Sequence, residues 1–159
     1  MSVAFTKEQD YEATAADLPD RPISAHPNLV TPEGLAALDA ALQDSRAAYA
    51  AAQAAGGVAE DRSAMARAAR DLRYYAARRA SAELIAAPKS KEIVSFGARV
   101  TFEREDGRRQ SYRIVGEDEA DPTKGSVSYM SPLARALFGK AVGEVVASPA
   151  GEVEIVEIA

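Results

Sequence analysis

A double glycine, Gly56-Gly57, stands between two stretches that carry the same spacing, and this constrains the chain around it more than any other feature. Ahead of it, Leu35, Leu38, Leu42, Ser45, Tyr49 and Ala52 recur at alternating intervals of three and four. Behind it, Met65, Ala68, Leu72, Tyr75, Arg79 and Ala82 do the same. Such spacing lines residues up along one stripe of an α-helix, as in the seam of a coiled coil. Glycine reaches the left-handed conformation in which helices end and turn. Two helices joined by so short a connection must lie side by side and antiparallel.

The helix ends are also written in the chain. Thr31 is a good N-cap, Pro32 suits the first helical position, and Glu33 favours the positive end of the helix dipole. Gly34 weakens that first turn. From Pro32 to Ala55 the first helix extends about 36 Å, and the second is expected from Ala59 to Ile85. Much of the apolar content here is alanine, which favours helix but buries little surface per residue.

Pro88 closes the helical region, and β-branched residues and glycine then take over. Strands are expected from Val94, over Ala98–Arg104, Gln110–Val115, Ser126–Tyr129, Val142–Ala147 and Glu152–Ile158. Asp106-Gly107 marks a hairpin. Ser131-Pro132 starts a short helix, Leu133–Phe138, which Gly139 stops. The fold class is therefore α+β: an N-terminal antiparallel coiled-coil hairpin, then an antiparallel β-sheet with one short helix. The expected segments are an extended arm over residues 1–30, the hairpin over 31–87 and the β-rich domain over 92–159.

Pro19, Pro22 and Pro27 keep the arm out of helix, and a flexible leader is the expectation. His26, the only histidine, is read as a solvent-facing residue. The first 20 residues are polar and acidic, unlike a secretory signal, and no run nears the roughly 18 apolar residues that span a membrane. With no cysteine, disulfides, zinc-thiolate sites and thiol catalysis are excluded. A cytoplasmic location is expected.

The net charge of −5 argues against sequence-independent binding to naked nucleic acid. Its distribution is uneven. Residues 1–58 carry Lys7, Arg21 and Arg46 against eight acids, whereas residues 59–85 carry Arg62, Arg67, Arg70, Arg73, Arg78 and Arg79 against four. That run is either a solvated face paired with the acidic first arm or a contact surface for an acidic partner. No nucleophile–base pair and no metal cluster stand out. Gly56-Gly57 lacks the Lys-Ser/Thr of a phosphate-binding loop, so an independent enzyme is not expected.

Longer motifs lie in the second half: Phe96-Gly97-Ala98-Arg99-Val100, Tyr112-Arg113-Ile114-Val115-Gly116-Glu117-Asp118-Glu119-Ala120-Asp121, Ser131-Pro132-Leu133-Ala134-Arg135-Ala136-Leu137-Phe138-Gly139-Lys140 and Pro149-Ala150-Gly151-Glu152-Val153-Glu154. In these stretches the chain resembles the bacterial Gre (GreA/GreB) transcription-factor family. The hairpin resembles the family in architecture rather than in sequence, and the proline-rich leader is an addition. The resemblance implies an FKBP-like fold for residues 92–159. It implies a monomer that docks on RNA polymerase and inserts its coiled coil into the secondary channel, meeting nucleic acid only through the elongation complex. The family's contact segment, Asp-Ser-Pro running into the short helix, falls on Met130, Ser131, Pro132, Leu133, Ala134 and Arg135, with Met130 in place of the aspartate.

The family's hairpin tip has the form Gly-Asp-x-x-Glu-Asn and helps polymerase hold a second magnesium ion. Here the tip reads Gly56-Gly57-Val58-Ala59-Glu60-Asp61. Glu60 keeps the second acid and glycine replaces the first. Asp61 is the substitute at hand, but neighbouring helical residues point about 100° apart, and an acidic pair also simply suits a helix start. The first arm is roughly two turns shorter than in cleavage-stimulating members, about 10 Å of reach. The expected function is thus a Gre-type factor modulating elongation with weak or no stimulation of transcript cleavage, with no cofactor of its own and magnesium shared through Glu60 and Asp61. The alternatives are a fully active Gre factor using those two acids, and a regulator of nucleoside diphosphate kinase, since a related family shares this domain. Peptidyl-prolyl isomerase activity is disfavoured: Phe96, Phe102, Tyr112, Tyr129 and Phe138 serve equally well as core.

Overall fold

The computed structural model describes residues 18–55 and 59–159, with backbone alone at residues 59–61. The chain is α+β and divides into two compact units, neither contiguous in sequence. One comprises the described residues up to His26 together with Leu38–Ser81, and the other comprises Pro27–Ala37 and Ala82–Ala159.

In the helical unit, α1 spans Pro32–Ala55, as its caps foretold, and contributes its residues from Leu38 onward; α2 spans Ala59–Ser81. Leu38, Leu42 and Ser45 are buried, and Tyr49 and Ala52 are half-buried. The seam read from spacing is therefore the inward stripe of α1. Asp39, near the start of α1, accepts a hydrogen bond from Arg79 Nε near the end of α2, as an antiparallel pair requires. On α2 the stripe runs through Ala68 but shifts in the last turn, where Arg78 rather than Arg79 is buried.

The leader departs from expectation. From Leu18 it has a defined course in this unit: Arg73 Nε donates to Asp20 at 2.7 Å and Arg21 pairs with Asp71 at 3.2 Å. The Arg21 guanidinium also lies 3.9 Å from the Tyr74 ring centroid and 5.1 Å from that of Tyr75. Opposite charges and a cation over two aromatic faces hold what proline alone would leave loose. The first 17 residues lie outside the described chain.

In the other unit, β1 (Leu29–Val30) pairs in parallel with β2 (Glu83–Leu84). The second helix was expected to reach Ile85. It stops at Ser81 because Glu83 N–H donates to the Asn28 carbonyl and Ile85 N–H to that of Val30.

The main sheet has five strands: β3 (Arg99–Arg104), β4 (Arg109–Val115), β5 (Ser126–Ser128), β6 (Val145–Ser148) and β7 (Gly151–Ile158), ordered β5-β4-β3-β7-β6. Val100, Phe102, Ile114, Val153 and Ile155 turn inward and are almost fully buried beneath α3 (Pro132–Leu137), which contributes Ala134 and Leu137. Alternation on β7 breaks at Val156. There the register with β3 slips between Thr101 and Phe102, so Ile158, not Glu157, completes the core.

Three pairings are antiparallel, but β4–β5 is parallel, correcting the expectation of a wholly antiparallel sheet. Residues 116–125 carry the chain back to Arg113, so that β5 runs alongside the last residues of β4, through a 3-10 turn at Pro122–Lys124. That turn is capped by Asp121, which accepts from Thr123 N–H at 3.1 Å and from the Thr123 hydroxyl.

Val94 begins no strand. It is buried and exchanges backbone hydrogen bonds with Gly139 and Lys140 beyond α3. Strand β6 begins at Val145 rather than Val142, since residues 141–144 form a turn in which Glu144 accepts from Ala141 N–H.

Candidate functional site

Six residues, Met130 to Arg135, were singled out by sequence, and the structure sets them where β5 hands over to α3. Ser128 begins the turn: its carbonyl accepts from Ser131 N–H at 2.9 Å and its hydroxyl from Met130 N–H at 3.1 Å. Ser131 is extended (φ −62°, ψ 149°), and its hydroxyl accepts from Ala134 N–H at 3.2 Å. Pro132 follows at the first helical position, where a missing N–H costs nothing. The Ser-Pro pair is thus first of all a helix cap.

The cap decides which side chains face out. Ala134 is completely buried and Leu133 packs on the core, while Pro132 and Arg135 are exposed and Met130 is half-buried. The outward face is a proline ring and a thioether beside a guanidinium, with no nucleophile among them. A guanidinium suits a carboxylate, so this face fits a protein surface carrying an acid. Beyond it Phe138, Val142 and Val145 are exposed. Phe138 was counted among possible core aromatics and is not one.

The other aromatics are used internally. Phe102 stacks on Tyr112 with centroids 6.2 Å apart, Phe96 meets Tyr129 edge-on at 5.7 Å, and the Tyr129 hydroxyl donates to the Pro27 carbonyl. They hold the domain together.

Glu60 and Asp61 sit in the first turn of α2; their side chains, and Gly56, Gly57 and Val58, lie outside the described residues. Among the described residues no three His, Cys, Asp or Glu side chains are grouped to hold a metal ion, and no helix is long and apolar enough to cross a membrane. His26 is exposed, as expected. Of the arginine run, Arg73 and Arg79 are paired with acids from the leader and from α1.

A second cluster escaped the sequence reading. Glu119, in the turn after β4, reaches the start of α1: it accepts from Thr31 N–H at 3.0 Å, from the Thr31 hydroxyl, and from Gly116 N–H at 3.3 Å. Thr31, itself buried, caps the helix by accepting from Gly34 N–H at 3.0 Å. A Cβ at Gly34 would fall on the Glu119 carboxylate, so glycine is there for room. One signal was available: glycine in the first turn of an otherwise well-capped helix.

Comparison with known proteins bears on the β-rich part. Residues 89–159 match the family model described as transcription elongation factor, GreA/GreB, C-terminal. These residues are similar to the C-terminal domain of GreA/GreB factors. In Bacillus licheniformis, the transcription elongation factor GreA is 50% identical over 74 residues, 43% of this chain and 47% of the relative. GreA of an Anaeromyxobacter species is 51% identical over 79 residues, 47% of this chain and 48% of the relative. GreB of Pseudomonas aeruginosa is 51% identical over 67 residues, 41% of this chain and 40% of the relative. The chain thus spans about half the length of the curated relatives it matches. Among solved structures, the GreA factor homolog Gfh1 of Thermus thermophilus aligns over 84% of this chain and 99% of its own, at 23% identity and a TM-score of 0.40. A GreA/GreB factor from Nitrosomonas europaea aligns over 84% and 98%, at 19% identity and a TM-score of 0.39.

Proposed function

We propose that the protein is a Gre-type regulator of bacterial RNA polymerase, docking through Met130–Arg135 and inserting its helical hairpin into the secondary channel. The observation that carries this reading is the family match over residues 89–159, which includes the whole docking segment. The structure supports it with a rigidly capped turn that leaves Pro132 and Arg135 exposed. The chain makes and breaks no bond itself; it alters what polymerase does, and it acts as a monomer in the cytoplasm.

Stimulation of transcript cleavage is weak or absent. Glycine stands where the family tip has its first acid, leaving Glu60 and Asp61 as the only acids there. The implied metal is the magnesium of the polymerase, to which those two would contribute carboxylate oxygens, the ligand type magnesium prefers.

A backtracked elongation complex mixed with the protein tests this. Binding that is lost on Arg135→Glu, with RNA cleavage left near its unassisted rate, is the expected result. Cleavage accelerated by the wild type and abolished by Glu60→Gln/Asp61→Asn would instead establish a fully active Gre factor. Failure to bind polymerase would overturn the reading, and recovery of nucleoside diphosphate kinase instead would replace it.

A further inference from the structure

The geometry points to Glu119 as the positioning residue of the first turn of α1: its carboxylate clamps that turn, and its part in the activity rests on the polymerase reading above. Three donors converge on it, Thr31 N–H, the Thr31 hydroxyl and Gly116 N–H. Two come from the cap residue of the helix and one from the end of β4, so a single carboxylate ties the cap to the sheet. The positive end of α1 adds a favourable field. The Thr31 hydroxyl is in turn the acceptor for Gly34 N–H, and Leu35 N–H donates to the Thr31 carbonyl, so the first turn of the helix hangs on the residue Glu119 holds. The missing side chain at Gly34 completes the arrangement, since any larger residue would occupy the place of the carboxylate. Glycine at this point of a helix is otherwise unfavourable.

Helix α1 runs without interruption from Pro32 to Ala55. What fixes its first turn therefore bears on how firmly the helix begins, while none of the hydrogen bonds of Glu119 reaches residues 130–135. The proposed factor then has two separable requirements: a face that binds polymerase and a clamped first turn of α1.

The test compares full-length wild type with Glu119→Gln, Gly34→Ala and the double variant Gly34→Ala/Glu119→Ala. Amide exchange at Thr31 and Leu35 is read first. Losing a hydrogen bond to a charged acceptor accelerates exchange of Thr31 about tenfold or more in Glu119→Gln. Gly34→Ala accelerates Leu35 similarly, by forcing the carboxylate aside. In the double variant the methyl has room but Thr31 has lost its acceptor, so Leu35 exchanges about as fast as in Gly34→Ala alone. General destabilisation would add the two defects, whereas loss of one shared contact makes them non-additive.

Polymerase binding and the effect on a backtracked complex are then measured separately. Glu119→Gln should keep its affinity within about threefold while its maximal effect, of whichever sign, falls about tenfold. Unchanged Thr31 exchange, a double variant in which the two defects add, or a Glu119→Gln protein as effective as wild type overturns the role of Glu119 alone. A wild type that does not bind polymerase overturns the functional reading and this role together.

Discussion

Glu33 shows how one exposed side chain reports on its surroundings. It lies in the first turn of α1, and its carboxyl is held below the ordinary value chiefly by its backbone hydrogen bond, then by the Arg113 guanidinium 3.4 Å away. A depressed carboxylate contributes stability that is fully present above its unfolded pKa and is lost as pH falls through the folded value. Titrating Glu33 by NMR in Arg113→Ala should show its pKa moving up towards the ordinary value while staying below it. No movement would mean that the ion pair is absent in solution. Asp121 is held low in the same direction, mainly by the Thr123 hydroxyl. In the core the stakes are larger. Phe102 is fully buried in the sheet, and Phe102→Ala should cost about 3–5 kcal/mol in denaturant unfolding.

At the level of elements, spacing and caps announced α1 to the residue, and β-branched residues with turn signals announced β3, β4 and β7 to within a residue at either end. What stayed hidden depended on partners distant in sequence. The end of α2 is set by Asn28 and Val30, the parallel course of β5 by the turn at Asp121, and the place of Val94 by Gly139 and Lys140. No local pattern encodes these meetings. The site divides the same way: Ser131 and Pro132 were readable as a cap and as a family motif, whereas Glu119 meets Thr31 across 88 positions of chain. The leader is a further case, because Asp20 and Arg21 are unremarkable until Arg73, Asp71 and the two tyrosines are brought beside them. Arg21→Ala removes an ion pair and a cation–π contact, together about 1 kcal/mol at such exposure. It should raise amide exchange around Asp71–Tyr75 and leave the sheet core unaffected. Equal acceleration in both places would show that the leader has no local hold.

For the molecule as a whole, what matters is that each compact unit is assembled from two pieces of chain. Asn28, Val30 and Thr31 are buried in the β-rich unit although they precede both helices. Removing residues 1–26 should leave the unfolding of the sheet nearly unchanged. Removing residues 1–37 should destabilise it by at least about 3 kcal/mol, from the burial of Val30 and the hydrogen bonds of Thr31. Equal stability of the two truncations would show that the β-rich unit is complete without its early segment.

The pairing of β1 with β2 has a consequence for synthesis. As the chain leaves the ribosome, Leu29 and Val30 emerge long before their partners Glu83 and Leu84, and the central strand β3 waits for the later β7. The helices between need no such wait, since their contacts lie nearer in sequence. The helical pair can therefore form first, whereas the β-rich unit closes only once β7 has been made.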